Sequence, residues 1–588
     1  MKTIFRIIEL SLALIIVFSA CACGQATTQG SQTTTPAATA SETTTTAAQI
    51  SATAAGNQSN TQAVVTSNQA DTGLELTEDG VTARGVFPVV TEPYTMTIAM
   101  PIYPNVEDID TNYTTLVMEE LTGINLEFIQ MPSTPADLAT KVNLMFASND
   151  LPDCFVMEYP GFEMPAATLW EAALAKQIVP LDKYIEKYGE GFDSAIEYLG
   201  PEKAAYVNSI LTFPDGHKYT YAYMNNVDID IYCLMTWVYI PWLEEAGLET
   251  PKTLDDFYNM ALVFKNRGPN ITPISAAKEQ ANRFIAYIGN CFQYTDFTWR
   301  LKVENGVVEF IANNDEYRQT LEFINKLYVE KLLDPLIFTQ STAEFKARLA
   351  QNELTVGIIN HQSPSAYMDT TTEPMLDFHI IDALEGPTGL KLTMDRGMQV
   401  NHTFWVTSKC EIPAAAVRFA DYFITEEGRF VGSGVQGVDW DWGDPGATDI
   451  LGNQAYYKVY NVYGALPSQN MGWWIGPTKI MDWRYSARQN DDKNPRDYES
   501  KKSIGADMLK KSAPKEYVPN AVKFENEDDQ KIVTQLRADI TNYVEEMSAL
   551  FILGDLPFSE WDRYVDEVNS LGVEEYVRLM QISYNMLQ

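Results

Sequence analysis

From Gln25 to Ala70 the chain reads QATTQGSQTTTPAATASETTTTAAQISATAAGNQSNTQAVVTSNQA, with Glu42 its one charged residue and no aromatic ring. A stretch of this kind cannot bury enough apolar area to offset its ordering entropy. It is expected to act as a flexible Thr/Ala/Ser/Gln tether over about residues 21–88, with a span on the order of 40 Å. Folding is thereby confined to the chain beyond the tether, about 500 of the 588 residues. That length is too great for one core, so two or more lobes are expected. Hydrophobic residues at 45% and aromatics at 12% supply enough apolar surface for packed cores and exclude wholesale disorder.

Ahead of the tether, Lys2 and Arg6 precede an apolar run from Leu10 to Phe18, and Ser19-Ala20-Cys21 comes next. Positive, then apolar, then small is the order of an export signal, placed here at residues 1–20. The run falls short of the ~20 residues that a spanning helix needs. Phe18-Ser19-Ala20-Cys21 resembles the lipobox of bacterial lipoproteins, which implies lipidation of Cys21, with Cys23 after Ala22 as the alternative. A single acyl chain holds a protein only marginally and two or more hold it firmly. The expected location is the outer face of a bacterial cytoplasmic membrane, with the lipid as the sole membrane contact.

Several activities are disfavoured by composition. Lys plus Arg number 42 against 79 Asp plus Glu, a formal charge of −37, and no basic stripe interrupts the acidity. Nucleic acid is an improbable partner for such a surface, since phosphate neutralisation supplies most non-specific affinity. Only His217, His361, His379 and His402 offer imidazole, and H-E-x-x-H, G-x-S-x-G and a P-loop are all missing from the sequence. No catalytic residue, metal or cofactor is expected. Cys154, Cys233, Cys291 and Cys410 are widely spaced, and the reading is four buried apolar residues, with one long-range disulfide open.

The folded part begins with the alternating segment Tyr94–Met100, a helical stretch from Tyr113 closed by Gly123, and a second alternating segment from Ile124. This order predicts a parallel βαβ start. A helix over Ala136–Ala147 and a short strand CFVME continue an α/β lobe. Thr253, with Leu254, Phe257, Tyr258, Ala261 and Leu262 after it at helical spacing, predicts a capped amphipathic helix. Tyr317, Leu321, Ile324 and Tyr328 repeat that spacing. Leu354–Ile359 and Thr403–Thr407 read as strands, and 413–425 as a helix. Near the end, Ser559 is the expected cap of a helix over 561–570, and Gly572 the stop before another.

Eight stretches in order, EELTGINLEFIQMP, LMFASNDLPD, IVPLDKYIEKYG, WLEEAGLETPKTLDDFYNMALVFKN, FINKLYVEKLLDP, FKARLAQNELTVGIIN, WVTSKCEIPAAAVRFADYFITEEG and LGVEEYVRLMQISYNML, resemble extracellular solute-binding protein family 1 of ABC importers, in its large LplA-like lipoprotein branch. Lys331 before Leu-Leu-Asp-Pro, Ile240-Pro241 before Trp242, and Gln436 depart from the family pattern. The resemblance implies an α/β, two-lobed periplasmic-binding-protein-like fold, type II-like, with a multi-strand hinge and a central ligand cleft. The first lobe would hold residues 89–225 plus about 400–450, and the second 226–399 plus about 451–588. Crossovers near Tyr221–Asp230 and Met398–Phe404 would form the hinge. It further implies a non-enzymatic receptor, a monomer that captures a carbohydrate, oligosaccharide above other solutes, and delivers it to ABC permease subunits. A receptor for a membrane sensor kinase and a secreted polysaccharide-degrading enzyme are the alternatives.

Sugars present C–H faces to aromatic rings and hydroxyls to amides, carboxylates and guanidinium groups. Aromatics in loops that punctuate strands are therefore the candidate contacts: Tyr103, Tyr159, Tyr221, Tyr223, Trp440, Trp473 and Trp474. Asn360, Arg396 and Asp439 are the polar candidates. Gly432-Ser-Gly434-Val-Gln-Gly437 matches G-x-G-x-x-G but stands after a helix and before VDWDWGDPG, so it is read as a glycine-rich loop near the cleft and not as a dinucleotide site. Trp440 and Trp442 interrupt the acidic run at 439–444, and no Glu closes it, so a calcium loop is not supported.

Overall fold

The computed structural model describes residues 74–587, except 104–105, 160, 351–353, 364–366, 369–372, 461–469, 471, 474, 491–497 and 525–526. Cys21, Cys23, the export signal and the expected tether up to residue 73 lie outside the described residues. The last part of that expected tether is instead packed on the first lobe, with Val81 and Thr82 buried and the Arg418 guanidinium donating to the Thr82 and Val86 carbonyls.

The βαβ start is present. Strand Tyr94–Pro101 pairs in parallel with Ile124–Met131, Tyr94 opposite Ile124 and Pro101 opposite Met131. Between them runs the helix Tyr113–Thr122, capped by the Asn112 side chain accepting from the Thr114 N–H and ended by Gly123 at φ 75°. The left-handed conformation is open to glycine without a Cβ penalty. These strands belong to a six-stranded sheet in the order Lys479–Met481, Thr220–Asn225, Gln399–Val406, Cys154–Val156, Tyr94–Pro101, Ile124–Met131. Gln399–Val406 runs antiparallel to both of its neighbours. Apolar residues from both faces, among them Ile98, Val156, Met224, Phe404 and Trp405, are buried under flanking helices, as expected of a sheet covered on both sides.

A second sheet, in the order Phe378–Ile381, Thr236–Tyr239, Ile358–Asn360, Ile274–Ser275, forms the core of the other lobe. Leu254–Lys265 packs there, and its capping box is complete: Thr253 accepts from the Asp256 N–H while the Asp256 carboxylate accepts from the Thr253 N–H. Phe257, Ala261 and Phe264 are fully buried. The long helix Glu527–Leu553 and the helices Trp561–Ser570 and Val573–Met586 complete this lobe, burying Val544, Phe551, Tyr564 and Leu579 with Phe257 in one core.

Three expectations are corrected. Lys479–Met481, placed with the second lobe by the sequence division, pairs in parallel with Thr220–Asn225 of the first sheet, and Trp473, Ile475 and Ile480 are buried in the first lobe's core. A three-residue strand is too short to carry a readable period. Of Leu354–Ile359, only the end is strand, Ile358–Asn360; just before it the Gly357 and Ile358 N–H groups both donate to the Pro273 carbonyl, which interrupts the ladder. Ser559 does not cap its helix: Pro557 starts a 3-10 turn, Phe558–Glu560, that contains it. The four cysteines are buried and free of disulfides.

Candidate functional site

A cavity of about 1150 Å³ lies between the lobes, somewhat above the roughly 300–1,000 Å³ usual for small-molecule sites. Strand ends of the first sheet build one wall. Where Cys154–Val156 ends, Glu158 and Tyr159 emerge, and after Gly161 the chain turns at Pro165 into the helix Ala166–Leu174, which carries Trp170. Tyr103, past the end of Tyr94–Pro101, sits with its ring centroid 6.0 Å from that of Tyr159. Thr220–Asn225 contributes Tyr223 and Asn225, and its antiparallel partner contributes Gln399 through Thr403. The two segments expected as crossovers are thus hydrogen-bonded neighbours at the cavity floor.

The opposite wall comes from the second lobe. The Asp296 carboxylate accepts from the Thr298 and Trp299 N–H groups at 2.6 and 2.9 Å, fixing the turn that presents Trp299. Gln530, Thr534 and Arg537 stand at i, i+4 and i+7 on Glu527–Leu553 and so share one face. The Arg537 guanidinium lies 4.1 Å from the Trp299 ring centroid, within cation–π range. Two lysines reach between the lobes: Lys523 Nζ donates to the Ser209 carbonyl at 2.8 Å, and Lys531 Nζ meets Glu171 at 3.0 Å.

Charge is distributed unevenly over this surface. Burial raises the pKa of Glu158, opposed by Lys479 and by a hydrogen bond from the Gly476 N–H. Glu163 is open to the cavity, yet the surrounding walls partly desolvate it and raise its pKa, opposed by Arg537 and Arg396. Asp230 accepts from the Asn225 amide at 2.8 Å and from Gln362. Burial pushes the Tyr223 phenol well above its ordinary range. His402 shares a 2.7 Å hydrogen bond with Thr220 Oγ1, and burial lowers its pKa to about 4, so it is neutral at pH 7. Among the described residues three of the lining each hold a buried polar atom without a hydrogen-bond partner: Trp299 Nε1, Arg396 Nε and Asn401 Oδ1.

Of the residues singled out in the sequence, Tyr103, Tyr159, Tyr223 and Arg396 line the cavity. The others are elsewhere. Tyr221, two residues back along its strand, is covered by Phe192 and donates to Asp421 at 2.9 Å. Asn360 is buried at a strand end, its amide bonded to Thr236 Oγ1. Asp439 is buried and accepts from the Val435 N–H. Trp440 packs 4.7 Å from Phe430 and donates to the Gly434 carbonyl. Trp473 is fully buried, stacked at 5.7 Å on Phe423, with its N–H on Thr115 Oγ1. Trp474 lies outside the described residues. The glycine-rich loop Gly432–Gly437 contributes nothing to the cavity lining. Sequence reasoning passed over Glu163, Trp170, Trp299, Asn401 and Arg537. The stripe of Gln530, Thr534 and Arg537 on an amphipathic helix was the available signal, although it reads equally as a solvated face. Among the described residues no group of three or more His, Cys, Asp or Glu is arranged to hold a metal, and no helix is long and apolar enough to cross a membrane.

Residues 103–430, more than half of the chain, match the model of the bacterial extracellular solute-binding protein family. The chain belongs to this family. A relative in it, the fructooligosaccharide ABC transporter substrate-binding protein FusA of Streptococcus pneumoniae serotype 4, is 24% identical over 531 residues, covering 84% of this chain and 90% of its own. Lipoprotein LipO of Bacillus subtilis is 23% identical over 317 residues, 50% of this chain and 57% of its own. Among solved structures, FusA in complex with kestose superposes with a TM-score of 0.66 at 22% identity, over 84% of this chain and 99% of that one. An HMO-binding solute-binding protein of Bifidobacterium longum infantis gives 0.65 at 17% identity, over 84% and 99%. The two-lobed α/β fold expected from the resemblance is the fold of these family members.

Proposed function

We propose that the chain is a lipid-anchored receptor that captures an oligosaccharide in the interlobe cavity and delivers it to the permease subunits of an ABC importer. The observation that carries this reading is the cavity itself, large and faced from both lobes by aromatic rings interspersed with carboxylate, amide and guanidinium groups. Rings take the C–H faces of sugars, and the polar groups take their hydroxyls. The sugar ligands of the family members support the class. Because the walls belong to different lobes, a ligand touching both favours a closed arrangement. Lipidation at Cys21, with Cys23 as the alternative, would hold the receptor at the outer face of the membrane, and Cys21→Ser should release it into the medium.

A thermal-shift panel of plant and microbial oligosaccharides tests the reading. A binder present at 100 times its dissociation constant adds about 2.7 kcal/mol. Stabilisation by at least one oligosaccharide, with no new reducing ends, is the expected result. New reducing ends would instead establish a degrading enzyme. No shift by any sugar would remove the carbohydrate assignment.

A further inference from the structure

Among the described residues six Asp, Glu, Lys or Arg side chains line the cavity wall, the carboxyls of Glu158, Glu163 and Asp230 and the basic groups of Arg396, Lys523 and Arg537. Acidic and basic groups are equal in number among these six. Half of the six are engaged by the protein. Glu158 accepts from the Gly476 N–H, Asp230 from Asn225 and Gln362, and Lys523 donates to the Ser209 carbonyl. Glu163, Arg396 and Arg537 remain. None of them makes a side-chain hydrogen bond or an ion pair among the described residues; Arg537 has its ring contact with Trp299 and opposes the effect of burial on the Asp296 carboxyl. The three arrive from separate places: Glu163 from the loop before the helix Ala166–Leu174, Arg396 from the segment entering Gln399–Val406, and Arg537 from the second lobe. Both guanidinium groups are close enough to Glu163 to oppose the effect of its desolvation. The Nε of Arg396 and the Oδ1 of Asn401, both lining this cavity, are buried without partners.

Two unpaired guanidinium forks alone would form a site for a carboxylate, which they bind bidentately. Glu163 changes that chemistry. An acidic sugar reaching Arg396 or Arg537 would meet a second carboxylate in the same partly desolvated space, where like charges repel more than in water. A hydroxyl escapes the conflict, because it donates to a carboxylate and accepts from a guanidinium at once. Resting on the carbohydrate function proposed for this cavity, we infer that it takes a neutral sugar chain, whose hydroxyls engage Glu163, Arg396 and Arg537 together, and that Glu163 is the residue that rejects uronic acids.

Calorimetry on the purified protein tests this at pH 7 and low salt, with neutral glucan, fructan and galactan trisaccharides set against trigalacturonate and trimannuronate. The wild type should bind at least one neutral sugar at least tenfold more tightly than either uronate. Glu163→Gln, with its melting temperature checked against the wild type, should narrow that ratio at least tenfold by gaining uronate affinity. Should that variant fail to fold, Arg537→Gln carries the test: it should weaken neutral binding at least tenfold without admitting uronates, and a gain in uronate affinity on losing this cation would overturn the inference. Tighter uronate binding by the wild type would overturn it, as would an unmoved ratio in a folded Glu163→Gln variant that still binds the neutral sugar. Those two results leave the carbohydrate reading standing. If the wild type binds neither kind of sugar, that reading fails and this inference falls with it.

Discussion

Two regions of the first lobe and its surroundings are rich in aromatic rings, and they use them differently. Around Trp473 and Trp440 the rings face one another: Trp473 packs against Phe128, Phe419 and Phe423, and Phe430 contacts Trp440, Trp442, Tyr457 and Tyr485. Both buried indoles there donate their N–H, to Thr115 and to the Gly434 carbonyl. Around the cavity the rings of Tyr103, Tyr159, Trp170 and Trp299 stand at the edge of open space, and the Trp299 N–H is orphaned. Both regions draw the same residue types from helices, strands and loops alike. What separates them is whether other rings or a void stand opposite, and that is set by the path of the backbone.

The sharpest way to break this comparison is to remove Trp473. Its ring is fully buried, and truncation of such a residue leaves a cavity that the surroundings refill only in part. Trp473→Ala should therefore lower unfolding stability by about 3–5 kcal/mol, read as a shift in urea midpoint, while protein that remains folded binds its sugar as the wild type does. A loss of affinity with unchanged stability would move Trp473 from the core to the site.

His402 tests the boundary, since it lines the cavity yet is buried like a core residue. Its folded pKa is depressed to about 4 by burial, from an unfolded value near 6.5. The unfolded chain then binds more protons between these values, so this group's contribution to stability is present above about pH 6.5 and lost as pH falls toward 4. Between pH 7 and pH 5 the loss is about 2 kcal/mol. Asp421 works in the opposite direction, its carboxyl raised to about 6 by burial. The clean measurement is thus the difference between wild type and His402→Asn, which keeps a partner for Thr220. The variant should lose less stability on acidification, and identical pH profiles would mean that the ring is hydrated through the cavity.

The sequence carried the framework where local chemistry is self-sufficient. The capping box at Thr253, the Gly123 stop and the alternation of Tyr94–Pro101 each satisfy or expose backbone groups within a few residues, so they can be read without knowing the fold. The site was legible in half measure. Tyr103 and Tyr159 are at the cavity because they trail strands of the first sheet, which topology makes predictable, whereas Tyr223 lies within the strand Thr220–Asn225. Trp473 was misjudged because its neighbouring glycine reads as loop freedom, whereas Gly472 is pressed against the backbone of Gly432, and a Cβ there would lie 2.5 Å from the Gly432 carbonyl oxygen. The glycine marks a close approach that lets the chain insert an indole into the core. Trp299 and Arg537, 238 positions apart in the numbering, meet through tertiary packing alone, which no local pattern encodes.

The finest discrimination comes from one substitution made at three tryptophans. Tryptophan to phenylalanine keeps an aromatic face and removes the N–H. At Trp473 that N–H donates to Thr115 Oγ1 at 2.9 Å, a hydroxyl that itself still donates to the Ile109 carbonyl. Losing the N–H removes one buried hydrogen bond and should cost about 1 kcal/mol or more, with the lost packing. At Trp299 and at Trp405 the N–H is buried and unpartnered, and removing an orphan donor offsets the packing loss, so both variants should unfold within about 1 kcal/mol of the wild type. Those two differ in their surroundings: Trp405 is sealed in the first lobe, stacked at 5.2 Å on Phe155, while Trp299 borders the cavity. If the Trp299 N–H is left unpaired because a sugar oxygen completes it on closure, Trp299→Phe should weaken binding about five- to tenfold, the equivalent of one hydrogen bond. Trp405→Phe should leave affinity unchanged. Equal affinities for the two variants would show that the indole edge at 299 is satisfied by water throughout, and that the wall recognises sugar by the ring face and the charged groups alone.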